Sequence, residues 1–326
     1  MSTYYRPIPD ADTAASRWRL AGGWTGFSRF ERLARGTAPV ITDEAPADLI
    51  AALTTPRAPV LGLPMDAPRI MGIVNATPDS FSDGGSYDPA AQARALLDQG
   101  ADMLDIGGES TRPGAAEVPA ADEIARITPA ISALKGAAIS VDTRKATVAR
   151  AALDAGAGLV NDVSGFDFDP DLPALVAQRD VPVCLMHAQG LPDTMQDDPR
   201  YDDVLLDVYD ALAARIARAQ AAGIPRDRIV IDPGIGFGKT QAHNLAILRR
   251  ISLYHGLGCP ILLGVSRKRF IGSIGGAGLA ADRAPGTLAL TLAAVAQGVQ
   301  IHRVHDVGAI RQGLALWLAV TKEHMS

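Results

Sequence analysis

Polar side chains recur where predicted strands end, and three of them suit a flat heterocycle. Asp142 and Asp232 follow the apolar strand cores ISV and IVI, and Asn161 lies near the end of a third strand. A buried carboxylate in such a position is costly unless it is paired or hydrogen-bonded. The two carboxylates and the amide could accept hydrogen bonds from a heterocycle with adjacent N–H donors. The carboxylates could instead form a general acid–base pair, or Asp142 could cap a helix that begins near Arg144.

A second group of residues suits an anion. Arg303 and His305 are two positions apart on one predicted strand, so both side chains project to the same face. Arginine presents a planar fork that matches phosphate. In a closed barrel this last strand neighbours the first barrel strand, which ends at Asn75, and an amide oxygen there suits Mg²⁺ on a pyrophosphate. The pattern predicts an anion site with Mg²⁺ held at Asn75.

A glycine-rich run lies after the sixth strand. Gly234–Thr240 (GIGFGKT) fails the spacing of a Walker A loop, because Pro233 stands where that motif requires glycine. We expect its glycines to let the backbone approach a ligand, with the Phe237 ring available for stacking. Lys268 follows the seventh strand, where a ligand contact competes with an ordinary surface position. His187 ends the fifth strand, and both a ligand contact and a satisfied rim position stay open for it.

An alternation of strands and helices that starts at residue 69 must position these groups. The predicted strands span residues 69–76, 102–108, 137–143, 159–164, 181–187, 228–234, 260–266 and 300–306. Eight strands and about eight helices in roughly 250 residues predict a (β/α)8 TIM barrel of the α/β class. A doubly wound open sheet is the alternative. The barrel predicts that chemistry gathers at the C-terminal ends of its strands.

Residues 1–66 do not follow this repeat, so we divide the chain into an N-terminal extension and a barrel, 67–326. The first 30 positions hold six of the 16 aromatic residues. Because disordered tails are poor in aromatic residues, we expect the extension to pack on the barrel or on a neighbouring subunit. We predict no chemistry in it.

Composition limits the partners of the chain. A net charge of -5 leaves no basic footprint for nucleic acid. The first residues lack the apolar segment of a signal peptide, and no apolar run approaches the roughly 18 residues of a membrane span. Cys184 and Cys259 lie in apolar runs without CxxC spacing, so we expect buried thiols. These features predict a cytoplasmic protein with no nucleic-acid partner and no membrane partner.

The site residues belong to longer motifs, which in chain order are IMGIVNATPDSFSDGG, DIGGESTRPGA, SVDT, NDVSG, LMHAQG, DPGIGFGK, GVSRKRFIG and RVHDV. These motifs resemble those of the dihydropteroate synthase family of folate biosynthesis. The family joins a pterin methyl pyrophosphate to p-aminobenzoate, which yields 7,8-dihydropteroate and pyrophosphate. The resemblance therefore implies a transferase with Mg²⁺ as cofactor, a sulfonamide target and a homodimer.

The resemblance also implies a role for each polar position. The pterin would be held by Asp142, Asn161, Met186, Asp232, Phe237, Gly264 and Lys268. The pyrophosphate would be held directly by Arg303 and His305, and by Asn75 through Mg²⁺. The residues that would enclose p-aminobenzoate are Thr111, Arg112, Pro113, Ser266 and Lys268. The catalytic residues would be Asp83, Phe81, Lys268 and Arg303. In an SN1-like path Asp83 would stabilise the cation left by pyrophosphate, and Phe81 would shield it from water.

Two other functions are compatible with a pterin slot in such a barrel. A corrinoid-linked pterin methyltransferase would not need the anion end at Asn75, Arg303 and His305. A non-catalytic pterin-binding relative should have lost its loop residues first, yet both loop motifs are present in the sequence. The motifs therefore favour the synthase.

Overall fold

The computed structural model describes residues 2–76, 88–110, 117–190 and 197–321. Its first part is an antiparallel sheet in which the long strand β3 pairs with all three others. The elements of this part are β1 (Thr3–Pro9), β2 (Trp18–Arg19), β3 (Gly26–Ala34), β4 (Val40–Thr42) and helix α1 (Ala47–Thr54).

The second part alternates strands and helices. Its strands are β5 (Arg69–Asn75), β6 (Met103–Gly107), β7 (Ile139–Asp142), β8 (Leu159–Asp162), β9 (Val183–Met186), β10 (Ile229–Asp232), β11 (Leu262–Leu263) and β12 (Ile301–Val304). Its α-helices in the described ranges are α2 (Pro89–Asp98), α3 (Ala120–Ser132), α4 (Ala146–Ala155), α5 (Leu172–Arg179), α6 (Val204–Ala221), α7 (Gln241–Arg249), α8 (Arg269–Gly275), α9 (Ala284–Val295) and α10 (Val307–Thr321). A 3-10 helix, Ile251–Leu257, follows α7.

Strands β5 to β12 form one parallel sheet in the order β10-β9-β8-β7-β6-β5-β12-β11. A parallel bridge between Ile231 and Ile261 brings the two ends of this sheet together. Each predicted strand overlaps one of these eight, so the prediction of a (β/α)8 barrel is confirmed. The alternative of an open doubly wound sheet is wrong, because the sheet curls until its first and last strands meet.

The lower part of the barrel interior is apolar. A buried cluster there contains Val60, Met65, Met71, Met103, Leu159, Cys184, Val230, Leu262 and Ile301. Because side chains alternate along a strand, the residues two positions further on also point inward. These include Asp105 after Met103, Asn161 after Leu159 and Arg303 after Ile301, so the upper part of the interior is polar.

The N-terminal sheet packs against α6 and the 3-10 helix. Its own small core consists of Leu20, Phe27, Phe30 and Leu53. The buried carboxylate of Glu31 on β3 accepts from Arg6 Nε at 2.6 Å and from Arg250 Nε at 3.0 Å. The Tyr4 hydroxyl donates to Asp210 on α6 at 2.8 Å. These contacts attach the extension to one side of the barrel.

Neither a membrane span nor a disulfide is found among the described residues. Within those ranges every helix is too short or too polar to cross a bilayer. Cys184 and Cys259 are both free and buried, as the sequence predicts. Burial raises the pKa of the Cys259 thiol to about 11.

Candidate active site

Two carboxylates share one guanidinium in the mouth of the barrel. Arg303 on β12 donates from Nε to Asp105 Oδ2 at 2.5 Å and from Nη2 to Asp142 Oδ2 at 2.7 Å. The side-chain amide of Asn161 donates to the same Asp105 oxygen at 3.0 Å. Strands β6, β7, β8 and β12 therefore bring these four side chains together. The single guanidinium neutralises only one of the two carboxylates, so the cluster carries excess negative charge when both are ionised.

The remaining oxygens of the two carboxylates are poised to accept hydrogen bonds. Oδ1 of Asp105 and Oδ1 of Asp142 are both buried, and neither has a hydrogen-bond partner within the described part of the chain. Such buried acceptors are rare in folded proteins and demand an explanation. A ligand that donates N–H groups to both oxygens supplies one.

Burial changes the proton affinity of two site carboxyls. It raises the pKa of Asp142 to about 7, with Arg303 opposing the change and Asp105 adding to it. It raises the pKa of Asp232 to about 6, although the Gly234 N–H and Lys268 favour the ionised form. Carboxyls that titrate near neutrality are typical of functional sites.

Asp232, at the end of β10, places a third carboxylate in the barrel mouth. Its Oδ1 accepts the Gly234 N–H at 2.7 Å. Met186 on β9 pairs with Asp232 in register and is 3% exposed. A Cβ on Gly264 would lie 3.9 Å from Asp232 Oδ2, so the missing side chain leaves space beside this oxygen. The structure thus brings three of the predicted pterin residues to one side of the barrel mouth.

Phe237 and Lys268 face each other across the same mouth. Lys268 Nζ lies 4.3 Å from the centre of the Phe237 ring. A cation over an aromatic face is favourable, so this contact helps to hold the Phe237 ring in place. Both residues were predicted site residues, and the structure places them in contact.

His305, one of the two predicted anion residues, follows β12 and is linked to the loop after β11. Ser266 Oγ accepts the backbone N–H of His305 at 3.0 Å and lies 2.9 Å from His305 Nδ1. If Nδ1 accepts the hydroxyl proton, the neutral ring carries its own proton on Nε2. That N–H is a suitable donor to an anion.

Asn75 ends β5, next to β12 in the sheet, and is half-buried. Among the residues that the structure describes, no three His, Cys, Asp or Glu side chains converge as a metal cage. Mg²⁺ commonly binds through one or two protein oxygens and takes its other ligands from water and phosphate. A single amide oxygen at Asn75 fits an ion that is bound mainly by a pyrophosphate.

Two functional residues were missed by the sequence reasoning. Asp105 lies inside β6 and not at its end, although a charged residue in the apolar run DMLDIGG was a usable signal. Lys239 is 2% exposed, and its Nζ contacts His187 Nδ1 at 2.9 Å and the carbonyls of Gly234 and Phe237 at 2.9 and 3.0 Å. Burial lowers its pKa to about 7. Lys239 therefore holds the glycine-rich loop together.

The structure also distinguishes between the alternative roles that the sequence left open for His187 and Asp142. His187 is a satisfied rim residue in this structure, because its ring is buried against Lys239 and burial lowers its pKa to about 2. The capping role considered for Asp142 is wrong: α4 begins at Ala146, whose N–H is bound by Asp169 at 2.7 Å. Asp142 instead points at Arg303.

Five predicted site residues lie outside the described residues. They are Phe81, Asp83, Thr111, Arg112 and Pro113. The residue just before the second of these segments is Ser110, and its neighbour Glu109 is firmly held. Glu109 Oε2 accepts from Lys145 Nζ at 2.9 Å, and Oε1 accepts the Val118 N–H at 3.2 Å. Glu109, which precedes that segment, is thus bound to Val118, which follows it.

Comparison with known proteins identifies the class. The family model of pterin binding enzymes matches residues 71–305, most of the chain. The fold and the polar pocket at its C-terminal rim are therefore those of a pterin-binding barrel enzyme.

The relatives narrow the class further. The dihydropteroate synthase of Neisseria meningitidis serogroup B is 48% identical over 267 residues, which cover 78% of this chain and 94% of that protein. A structure of the Xanthomonas albilineans dihydropteroate synthase with 4-aminobenzoic acid is 46% identical, with a TM-score of 0.77, and covers 83% of this chain and 100% of that one. The same enzyme in complex with 7,8-dihydropteroate is 42% identical, with a TM-score of 0.75, over 82% and 100%. The Yersinia pestis enzyme in a sulfonamide drug complex is 41% identical, with a TM-score of 0.75, over 79% and 96%. This chain belongs to the dihydropteroate synthase family.

Proposed function

We propose that this chain condenses 6-hydroxymethyl-7,8-dihydropterin pyrophosphate with p-aminobenzoate to give 7,8-dihydropteroate and pyrophosphate. It is an enzyme of the transferase class. The observation that carries the proposal is the pair of buried carboxylate oxygens, Asp105 Oδ1 and Asp142 Oδ1, that point to a ligand with adjacent donors. A pterin ring has such donors along one edge.

In this proposal the pterin slot lies beside these two oxygens. The ring lies between the Asp105–Asp142 pair and Asp232, with Asn161 as a further polar contact. Met186 and Phe237 cover its faces, and Gly264 leaves room for its edge. Lys268, whose Nζ lies over the Phe237 ring, contacts the pterin ring from the mouth of the barrel. Stacking and fixed hydrogen bonds orient the exocyclic methylene carbon toward the anion end of the site.

The chemical step needs no protein nucleophile. The bond between the methylene carbon and the pyrophosphate oxygen breaks, and its electron pair leaves with the pyrophosphate. Arg303 and His305 bind that anion, and Asn75 would hold Mg²⁺, which would supply further charge neutralisation. Asp83 stabilises the carbon cation and Phe81 shields it from water. The arylamine nitrogen then bonds to this carbon and loses a proton.

The acceptor site lies next to the slot. Ser266 and Lys268 follow β11 at the rim, where p-aminobenzoate reaches the methylene carbon. Thr111, Arg112 and Pro113 complete this subsite in our proposal. The relatives named above are dihydropteroate synthases, which supports neither a corrinoid-linked methyltransferase nor a non-catalytic pterin-binding protein.

Sulfonamide competition tests this function. Because sulfonamides mimic p-aminobenzoate, we expect them to raise the apparent KM for p-aminobenzoate and to leave that for the pterin pyrophosphate unchanged. The measurement is dihydropteroate formation with p-aminobenzoate limiting. Full activity at saturating drug would contradict an acceptor site of this kind.

The pH dependence of pterin binding follows from the raised pKa values. With pKa values of about 7 and about 6, Asp142 and Asp232 are mainly protonated at pH 5 in the free protein. A pterin that donates N–H groups favours the ionised carboxylates, so its binding at low pH must release protons. We expect its Kd to fall from pH 5 to pH 8, by up to about tenfold per pH unit for each proton released.

Titration calorimetry in buffers of different ionisation enthalpy measures both the Kd and the protons released. The Kd should level off once the pH exceeds the higher pKa, because both carboxyls are then already ionised. A Kd that does not change between pH 5 and pH 8 would contradict direct contact between the pterin and these groups.

We also propose that the enzyme is a homodimer in the cytoplasm. Ile274, Leu279, Leu316 and Val320 are large apolar residues that are 57–86% exposed, and they lie on or near α8 and α10, both of which pack on α9. An exposed apolar face of this kind is typical of an interaction surface. A monomeric mass in light scattering at micromolar concentration would contradict the dimer.

The proposed location in the cytoplasm is supported by the cysteines. Two free thiols are compatible with a reducing compartment.

A further inference from the structure

The N-terminal extension lies outside residues 71–305, yet Arg35 connects it to α6. Arg35 follows β3 and donates from Nη1 to Asp207 Oδ1 and from Nη2 to Asp210 Oδ2, the latter at 2.8 Å. Both carboxylates favour the cation and raise the pKa of Arg35. The extension thus reaches the first two turns of this helix.

Asp207 passes the contact to the segment before α6. Its second oxygen, Oδ2, accepts the backbone N–H groups of Asp202 at 3.0 Å and Asp203 at 3.2 Å. One carboxylate therefore binds Arg35 on one oxygen and holds the end of the β9–α6 loop on the other. A rotation of the Asp207 side chain would release both contacts together.

Tyr201, which precedes Asp202, links this segment to the glycine-rich loop of the site. Its hydroxyl donates to the carbonyl of Gly238 at 2.7 Å. Gly238 has φ +59°, and a Cβ there would lie 2.3 Å from the Gln189 carbonyl oxygen, so this loop is tightly enclosed. Phe237, whose ring lies against Lys268, is the residue before Gly238. A displacement of Tyr201 therefore displaces the ring that covers the pterin slot.

Anchoring of the extension does not require Arg35. The buried Glu31 already joins β3 to Arg250, and the Phe27–Phe30 cluster supplies the core of the sheet. The Arg35 side chain is 39% exposed, and exposed ion pairs add little to stability. The distinctive property of Arg35 is its connection to Asp207 and, through Tyr201, to the site.

We propose that Arg35 is a positioning residue for the pterin slot, acting through Asp207 and Tyr201 on the loop that carries Phe237. The proposal rests on the proposed function, because it assigns the loop to the pterin. It gives the extension a role in substrate affinity and none in the chemical step. Arg35→Ala should therefore weaken pterin binding without slowing turnover at saturation.

A double-mutant cycle tests the connection. Arg35→Ala should raise the KM for the pterin pyrophosphate by on the order of three- to tenfold, while kcat and the KM for p-aminobenzoate change less than about twofold. Tyr201→Phe removes the hydroxyl and should raise the same KM. The double variant should match Tyr201→Phe alone, because both changes act through one loop. Arg35→Lys should restore part of the affinity.

The controls separate positioning from general damage. Arg32→Ala removes an exposed arginine from β3, the strand that precedes Arg35, and should leave every parameter unchanged. Thermal unfolding of each variant should stay within a few degrees of the wild type. An unchanged pterin KM in Arg35→Ala, or effects of Arg35→Ala and Tyr201→Phe that multiply in the double variant, would overturn the proposal.

Direct titration with the pterin pyrophosphate separates this inference from the proposed function. A wild-type protein that binds the pterin without turnover contradicts the synthase activity, and the same cycle is then read from Kd values. A wild-type protein that does not bind the pterin overturns both proposals. Normal turnover with an unaltered Kd in Arg35→Ala overturns only the positioning role.

Discussion

Asp142→Asn is expected to weaken pterin binding by about 10- to 100-fold, because hydrogen bonds to a charged group are worth about 1.5–3 kcal/mol. The amide has nearly the same shape but can place an N–H where the pterin also presents one. In the free enzyme Asp142 has a pKa raised to about 7, so its ionised form costs stability above that pH. We therefore expect the variant to be at least as stable as the wild type at pH 8.

Asp162→Asn is the matched control for this substitution. Asp162 is as deeply buried, on the neighbouring strand β8, but its oxygens accept the N–H groups of Ser164 and Phe166 at 2.8 and 2.6 Å. Its replacement should lower stability and leave pterin affinity nearly unchanged. Titration calorimetry and urea unfolding measure the two quantities. Equal pterin affinity in Asp142→Asn and the wild type would exclude Asp142 from the slot.

Arg303→Met is expected to lower the free energy of unfolding by about 3–5 kcal/mol at pH 8, because it leaves two buried carboxylates without their cation. Asp105 and Asp142 are 0% and 7% exposed as side chains and both bind the guanidinium. Loss of the cation removes the interaction that opposes the raised pKa of Asp142, so this pKa should rise further. The stability deficit should therefore shrink as the pH falls toward 5.5 and Asp142 becomes protonated.

Arg228→Met provides the comparison for an ordinary ion pair. Arg228 pairs with Asp180 at 3.1 Å, and both side chains are exposed. Such pairs contribute about 0–1 kcal/mol, so its unfolding curve should stay close to that of the wild type at both pH values. An Arg303→Met curve that behaves in the same way would refute the claim that this arginine neutralises the pocket.

Much of the fold follows from local patterns in the sequence. Each β-rich run from residue 69 onward is followed by a polar loop and a helix, and parallel strands must end at the same rim. That rule is enough to bring Asp142, Asn161 and Asp232 together, although they are up to 90 positions apart in the chain. A second local rule, the alternation of side chains along a strand, predicts that Arg303 and His305 share a face.

Other features depend on contacts that no local pattern encodes. Asp105 lies two positions below the rim, and its importance comes from Arg303, which is remote in sequence. Lys239 is defined by acceptors from two loops that fold around its amine. The N-terminal sheet has long-range partners such as Arg250, so aromatic content predicted a packed segment without predicting its strands.

Pyrophosphate release by the purified protein tests the central claim most directly. The reaction contains Mg²⁺ and the pterin pyrophosphate, with p-aminobenzoate present or absent, and 7,8-dihydropteroate is measured by mass spectrometry in the same samples. We predict release that depends on p-aminobenzoate and equals the dihydropteroate formed. Tight pterin binding without release, or release without dihydropteroate, would contradict the assignment of this barrel as a synthase.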